Sequence, residues 1–307
     1  MHPHVWNPRL HPRDRLGQFT DTPGSGSWLS RAAEQARRGF TDEELAQREQ
    51  DVNDLIAGVR HLDTPRVHKP NGRWSDERAA AHREILDRVW AEKATRVPNE
   101  HRAVMTGGLM GAGKTTVLAG HPEIDMSDYL MVSADDMKEE IIRHGGLIPQ
   151  VPGAEHLSPM ELSAMYHVES AYLADALAER AYAEGKNVIL DASMGDRTAP
   201  AARLTRLRDM GYQVRGVFVD IPVETSLQRA SARYRSGMQQ WGSGTGPGGR
   251  TIPPALIEGQ RGPGGMTKNR VVFDQLREEG LFGAGWEVHD NTGSAPVLLK
   301  RGGGIQT

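Results

Sequence analysis

Between Ala103 and His289 the chain repeats one rhythm: a short apolar run, a turn, then a stretch whose apolar residues return every three or four positions. The runs are Ala103-Val-Met-Thr106, Tyr129-Leu-Met-Val-Ser133, Asn187-Val-Ile-Leu-Asp191, Gln213–Asp220 and Trp286–His289, and each reads as a buried strand. The intervening stretches predict helices from Thr116, over Met137–Arg143, from Ser158 to about Ala183, near Ala199–Met210, from Pro222 to about Arg235, and near Thr267–Glu279. The third is the best marked. Ser158-Pro159-Met-Glu161 supplies an N-cap, a proline at N1 and a glutamate at N3, and Gly185 stops it. Strands alternating with helices predict an α/β fold, a mainly parallel sheet flanked by helices. Residues 237–249 hold six glycines and predict no regular element.

Ahead of the first strand the pattern changes. Thr41-Asp-Glu-Glu44 has capping-box spacing and predicts a helix towards Gly58. A second helix starts after Ser75, with Asp76 and Glu77 suiting the dipole of its first turn. Its stripe is Ala81, Ile85, Leu86, Val89 and Trp90, and Pro98 ends it. Residues 1–40 are rich in Pro, Gly, Ser, Arg and His, and their aromatics Trp6, Phe19 and Trp28 stand alone. So little apolar surface cannot offset the entropy of ordering, which predicts a disordered tail. His2, His4 and His11 read as part of that solvated tail rather than as a metal site. The expected division is a tail over 1–40, a helical extension over 41–98 and a core domain over 99–307.

Composition narrows the classes. A formal charge of −3 over 307 residues carries no nucleic-acid signature. No apolar run approaches a membrane span, and no signal-peptide core follows the N-terminus. With no cysteine, disulfides and thiolate zinc sites are excluded. A cytoplasmic protein is the expectation.

The chemistry begins at Gly108-Leu-Met-Gly-Ala-Gly-Lys-Thr115, a complete phosphate-binding loop set between a predicted strand and a predicted helix. Gly108, Gly111 and Gly113 let backbone N–H groups close on phosphate oxygens, and the helix N-terminus at Thr115 and Thr116 adds partial positive charge. Lys114 reaches the β- and γ-phosphates and Thr115 helps hold Mg²⁺, with ATP or GTP as the donor. At strand ends, where ligands of open α/β sheets gather, lie Asp135, Asp136 and Asp191. One carboxylate could accept the proton of an attacking hydroxyl and another could support the magnesium shell. Asp135 fits an N-cap as well as it fits a base. Asp191 closes an apolar run in the manner of a Walker B acid, although a turn explains it too. Arg229 and Arg233 share a helix face, and Arg250 follows the glycine-rich stretch. Together they suggest a mobile lid in which Arg233 and Arg250 neutralise the transferring phosphate.

From about Ser75 to Asn291 the chain resembles the zeta toxin family of P-loop kinases. The resemblance rests on the Glu77-Arg78 helix with His82, the loop ending at Thr115, and Ala134-Asp-Asp-Met-Lys138. It continues through Gly185–Ser193, Arg229 and Arg233, Gly249-Arg-Thr-Ile-Pro253, and Val288-His-Asp-Asn291. It implies phosphorylation of a sugar hydroxyl, that of UDP-N-acetylglucosamine in characterised members, with Asp135 as general base. Lys114 and Thr115 match the phosphate and magnesium ligands, and Arg233 and Arg250 the phosphate-binding arginines. Asp191 and Ser193 match a family Glu and Thr that contact the acceptor sugar, where Asp136 is also placed. His167 and Glu169 either border that pocket or form a plain surface face. Asp191 is one methylene shorter than the family Glu, and the stretch from Arg233 to Arg250 is longer and richer in glycine. The N-terminal hundred residues depart from the usual toxin start and suggest a tether, an inhibitory segment or a docking module for an antitoxin or a virion partner. Within them, His11–Phe19 resembles short segments of actinobacterial tailed-phage proteins.

Two other readings stay open. A polynucleotide 5′-hydroxyl kinase uses the same parts, but no aromatic-basic stretch for stacking single strands is present, and Arg203-Leu-Thr-Arg-Leu-Arg208 fits a helix face. A phage-associated nucleotide-binding protein without turnover is the other, against which stand intact Lys114, Thr115, Asp135 and Arg250.

Overall fold

The computed structural model describes residues 40–303, so the tail expected over 1–40 falls, apart from Phe40, outside the described residues. The chain divides into two compact units, each assembled from separated stretches. A sheet unit comprises residues 88–133, 174–230 and 253–303, and a helical unit comprises residues 40–87, 134–173 and 231–252. Among the described residues no helix is long and apolar enough to cross a membrane.

The sheet unit holds six strands: β1 (Arg102–Gly107), β2 (Leu130–Val132), β3 (Val188–Asp191), β4 (Gln213–Asp220), β5 (Trp286–Asp290) and β6 (Val297–Gly302). Their order is β2-β3-β1-β4-β5-β6, parallel throughout except that β5 and β6 run antiparallel. Central β1 is buried from Ala103 to Gly107, because helices on both faces leave no wet side. Helices α4 (Lys114–Ala119), α7 (Thr198–Asp209) and α9 (Lys268–Glu278) pack on β4, and α9 also reaches β1. Phe218, Phe273 and Phe282 stack in succession with centroids 5.1 Å apart at each step. A single register brings Thr106 beside Asp191 and Gly107 beside Phe218, so the carboxyl ends of β1 and β3 finish together.

Strand β6 is absent from the sequence-based expectation. Its Val297, Leu298 and Leu299 are consecutive and exposed on an edge, so neither alternation nor burial marks them.

The helical unit begins with α1 (Asp42–Gly58), whose capping box forms as its spacing requires. Glu44 N–H donates to Thr41 Oγ1 (3.1 Å), and Thr41 N–H donates to Glu44 Oε2 (2.9 Å). Leu45 of α1 is buried against Tyr234 and Met238 of helix α8 (Val223–Gly242), with Phe40 and Trp241 closing the cluster. Arg48 forks onto Glu161 at 2.7 and 2.8 Å, and Glu161, fully buried, also accepts from Tyr234 Oη and Ser158 N–H. A buried carboxylate is tolerable only when its lone pairs are so engaged. Helix α1 is therefore part of the core of this unit. The short helix α2 (Thr64–His68), α3 (Asp76–Val89) and α5 (Ala134–His144) follow in the chain. The Ser158–Glu161 box forms, but it opens a 3₁₀ segment, Glu161–Tyr166, before α6 (His167–Ala183).

Candidate active site

The phosphate loop is a main-chain construction. Gly108, Gly111 and Gly113 all have positive φ, at 133°, 73° and 83°. At Gly113 a Cβ would also fall 2.2 Å from Asn291 Nδ2, so neither the dihedral nor the space admits a side chain. The loop carbonyls are held from behind: Ser226 Oγ donates to Met110 O (2.6 Å), Arg229 to Gly111 O (3.3 Å) and Asn291 Nδ2 to Ala112 O (2.7 Å). In a trans peptide the N–H points opposite to its carbonyl. Anchoring the carbonyls at one side thus turns the amides of Gly111 and Gly113 to the other, as an anion cradle requires, while the Ala112 N–H closes the turn on Leu109 O (3.1 Å). Arg229, paired in the sequence with Arg233, serves here as scaffolding, with its second amino group on Asn291 O (2.7 Å). Ser226 is the residue the sequence does not disclose. It lies over a hundred positions from the loop, and a helical serine carries no mark.

Lys114 begins α4 with its Nζ 3.4 Å from Asp191 Oδ1, which also accepts from Thr106 Oγ1 (3.1 Å). The fold thus brings the loop lysine to the acid at the end of β3. Thr115 and Thr116 are exposed on the first turn of α4. Ser193, also exposed, has its carbonyl held by Asn269 Nδ2 (2.7 Å) and its Oγ accepting from Gly195 N–H (3.4 Å).

The helical unit assembles a second set. Asp135 sits in the first turn of α5, and both of its oxygens are taken by Arg250 Nη1 at 2.6 and 2.7 Å. Lys138, one turn on and fully buried, donates to Asp135 Oδ1 at 2.6 Å. Burial pushes the Asp135 carboxyl up, but the charges of Arg250, Lys138 and Arg233 outweigh it and hold it at about 2. Burial lowers Lys138 to about 8, Arg250 adding to the effect and Asp135 opposing it. His167, exposed at the start of its helix, is lowered by desolvation and by the Lys138 and Arg250 charges, so it is neutral at neutral pH. Arg233 is exposed, and Asp136 is half-buried on the same turn as Asp135.

Two expectations change. Glu169 is neither pocket border nor surface: it is fully buried, bound by Arg78 Nη1 at 2.9 and 3.1 Å and by His82 Nε2 at 2.6 Å. The glycine-rich stretch before Arg250 is packed rather than free. Met160 N–H donates to Pro247 O (3.1 Å), and a Cβ on Gly249 would fall 2.2 Å from Tyr234 O. Its glycines allow close approach of backbone to α8.

In the sheet unit His121, Glu287 and His289 bring three ligand-type atoms within 4.8 Å of one another. Glu287 Oε2 lies 2.9 Å from His121 Nε2 and 3.0 Å from His289 Nε2, and the His289 and His121 hydrogen bonds hold its carboxyl at about 2. However, His121 Nδ1 accepts Glu123 N–H at 3.1 Å, which puts the proton of the neutral ring on Nε2. No lone pair is left there for a cation, and the trio is a hydrogen-bonded tie between the end of α4 and β5.

Comparison with known proteins agrees with this geometry. No curated protein matches the sequence. Among solved structures, AvrRxo1-ORF1 in complex with AvrRxo1-ORF2 and ATP superposes with a TM-score of 0.54 at 16% identity, covering 76% of this chain and 69% of that one. The PezAT chromosomal toxin-antitoxin system of Streptococcus pneumoniae gives 0.54 at 14% identity, covering 74% and 82%. These likenesses establish the fold. The zeta toxin family profile matches residues 87–261, more than half of the sequence. With a complete phosphate loop, its lysine against Asp191, and a match of that extent, the chain belongs to the zeta toxin family of kinases.

Proposed function

We propose that this kinase transfers the γ-phosphate of ATP or GTP to a sugar hydroxyl of a nucleotide sugar, with UDP-N-acetylglucosamine as the first acceptor to test. The observation that carries the reading is Asp135, a carboxylate held ionised by two cations in a chain that also owns a complete phosphate loop. In this scheme Asp135 takes the acceptor hydroxyl proton as the new O–P bond forms. The bond from Pγ to the bridging oxygen breaks, and the nucleoside diphosphate leaves. Loop amides and Lys114 bind the donor phosphates, while Arg233 and Arg250 offset charge on the transferring group. Asp191 and Ser193, both exposed at the end of β3, contact the acceptor, with Asp136 and His167 beside the base. Thr115 and Asp191 present exposed oxygen donors suited to Mg²⁺, which when bound neutralises phosphate charge.

Of the similar solved structures, one is of a toxin-antitoxin system and another holds ATP, which supports an ATP donor and an antitoxin partner for this chain. A nucleotide-dependent reaction also favours the cytoplasm. The test is mass spectrometry of purified protein with Mg-ATP or Mg-GTP and UDP-N-acetylglucosamine, with Asp135→Ala alongside. A phosphate-mass adduct on the nucleotide sugar, absent with the variant, is the expected result. Nucleotide binding without that adduct would sink the acceptor assignment and turn the assay to oligonucleotide 5′-hydroxyls and other sugars.

A further inference from the structure

Lys138 is the cation the scheme above leaves unused. Its side chain is 1% exposed, and a buried ammonium costs several kcal/mol unless a partner compensates it. Its partner is Asp135, one turn away on the same helix, at 2.6 Å. The second cation on that carboxylate differs in kind: Arg250 comes from a distant stretch of chain, and its side chain is 29% exposed. In the proposed function Arg250 serves the transferring phosphate, and a guanidinium engaged there no longer neutralises Asp135 with both oxygens. Lys138 has no such second task and stays buried.

We propose that Lys138 is the resident counter-ion of Asp135, a positioning residue that keeps the carboxylate ionised and fixed in direction when Arg250 turns to phosphate. This rests on the reading of Asp135 as the base. The other charged groups around the pair do not substitute for it. Arg233 adds its charge to Asp135 but is exposed and in the proposed function serves the phosphate, and His167 is neutral at working pH. The proton Asp135 takes from the acceptor is released to water after the product leaves, so Lys138 ends each cycle as it began, protonated.

The test is an NMR titration of the ¹³C-labelled Asp135 carboxyl in the full chain, assigned with Asp135→Asn, in wild type and in Arg250→Ala. If Lys138 is the resident counter-ion, Asp135 in Arg250→Ala still titrates below the ordinary carboxylate value of about 3.9. Titration at or above that value overturns the proposal. Lys138→Met is then assayed for turnover. Expected is a fall in kcat on the order of 10- to 100-fold, little change in nucleotide KM, and recovery with Lys138→Arg. Undiminished kcat in a folded Lys138→Met overturns the proposal, and if that variant does not fold, the Arg250→Ala titration decides alone. Asp135→Asn with full turnover would instead remove the base assignment, an outcome separate from either titration result.

Discussion

The phosphate loop and the Asp135 cluster are two ways of building a charged site. The loop is made of main chain: consecutive peptides with positive φ at three glycines, their carbonyls anchored by Ser226, Arg229 and Asn291. The cluster is made of side chains brought from positions 115 residues apart, Asp135 on α5 and Arg250 beyond α8, with Lys138 enclosed between helix and core. A main-chain site must be contiguous, so it leaves a motif. A side-chain site needs only convergence, so it leaves isolated residues that look like caps and surface charges. The two should therefore fail differently when altered.

The largest effect on nucleotide binding should come from Gly113→Ala. The added methyl meets Asn291 Nδ2 in a backbone region that alanine avoids. Relieving the clash moves Asn291, which releases the Ala112 carbonyl and turns the cradle. Calorimetry should find nucleotide affinity lowered by about 100-fold or more, that is about 3 kcal/mol. Near-wild-type affinity would mean that the loop tolerates a side chain and the main-chain account is wrong.

Asp135→Asn should do the opposite, leaving nucleotide affinity nearly unchanged and lowering kcat by about 100- to 10,000-fold. A matching loss of donor binding would show that the two sites cannot be separated, and the contrast would collapse.

The same contrast explains what was legible in the sequence. Elements announced by local chemistry are present where expected: the strand before Gly108, the capping box at Thr41, the apolar run ending at Asp191. Elements that depend on distant partners were not. Strand β6 exists because β5 offers an edge, and no periodicity in Val297-Leu-Leu299 reports it. Glu169 sits on a helix in a pattern that suits a surface, and only the arrival of Arg78 and His82 makes burial possible. The six glycines of residues 237–249 suggested freedom. In the fold Gly237 and Gly249 are where backbone meets backbone, and helix α8 runs on to Gly242, past its expected end at Arg235.

The helix before the family-matched region sharpens the comparison further, because it belongs to the helical unit that holds the side-chain site. Leu45, 1% exposed, packs on Tyr234 beside Arg233, and Arg48 fixes Glu161. Leu45→Ala should cost about 2–5 kcal/mol of stability by chemical denaturation. A loss under 1 kcal/mol would show that α1 is an appendage after all. Removing residues 1–74 would strip this helix from the core, so that truncation reports on folding. Ending the deletion at residue 39 tests inhibition by the tail while leaving every described contact in place.

The pH profile follows from the charges around Asp135. With its carboxyl held at about 2, Asp135, as the proposed base, is ionised across the neutral range, so kcat/KM should show no acid limb between about pH 5 and pH 7. Lys138, lowered to about 8 in the free protein, should lose its charge on the alkaline side and bring kcat/KM down there. The stability contribution has a definite sign. A depressed carboxyl stabilises the fold above its unfolded value near 3.9, and that contribution is lost as pH falls towards 2. An acid limb centred near 6 would mean that another group is the base.

The smallest effect should be the most specific. Ser226 Oγ contributes one hydrogen bond, to Met110 O at 2.6 Å, and its side chain lies among the groups behind the loop. Ser226→Ala deletes that donor without adding volume, so the Met110 carbonyl loses a partner while Gly111 and Ala112 keep theirs. A net hydrogen bond of this kind is worth about 0.5–1.5 kcal/mol, a two- to tenfold weakening if it acts only through the shape of the cradle. Nucleotide Kd should shift by that factor, with kcat under saturating donor unchanged, because the side-chain cluster is untouched. A change in kcat with Kd held constant would make Ser226 part of the reacting machinery and break the division between a main-chain site that binds and a side-chain site that turns over.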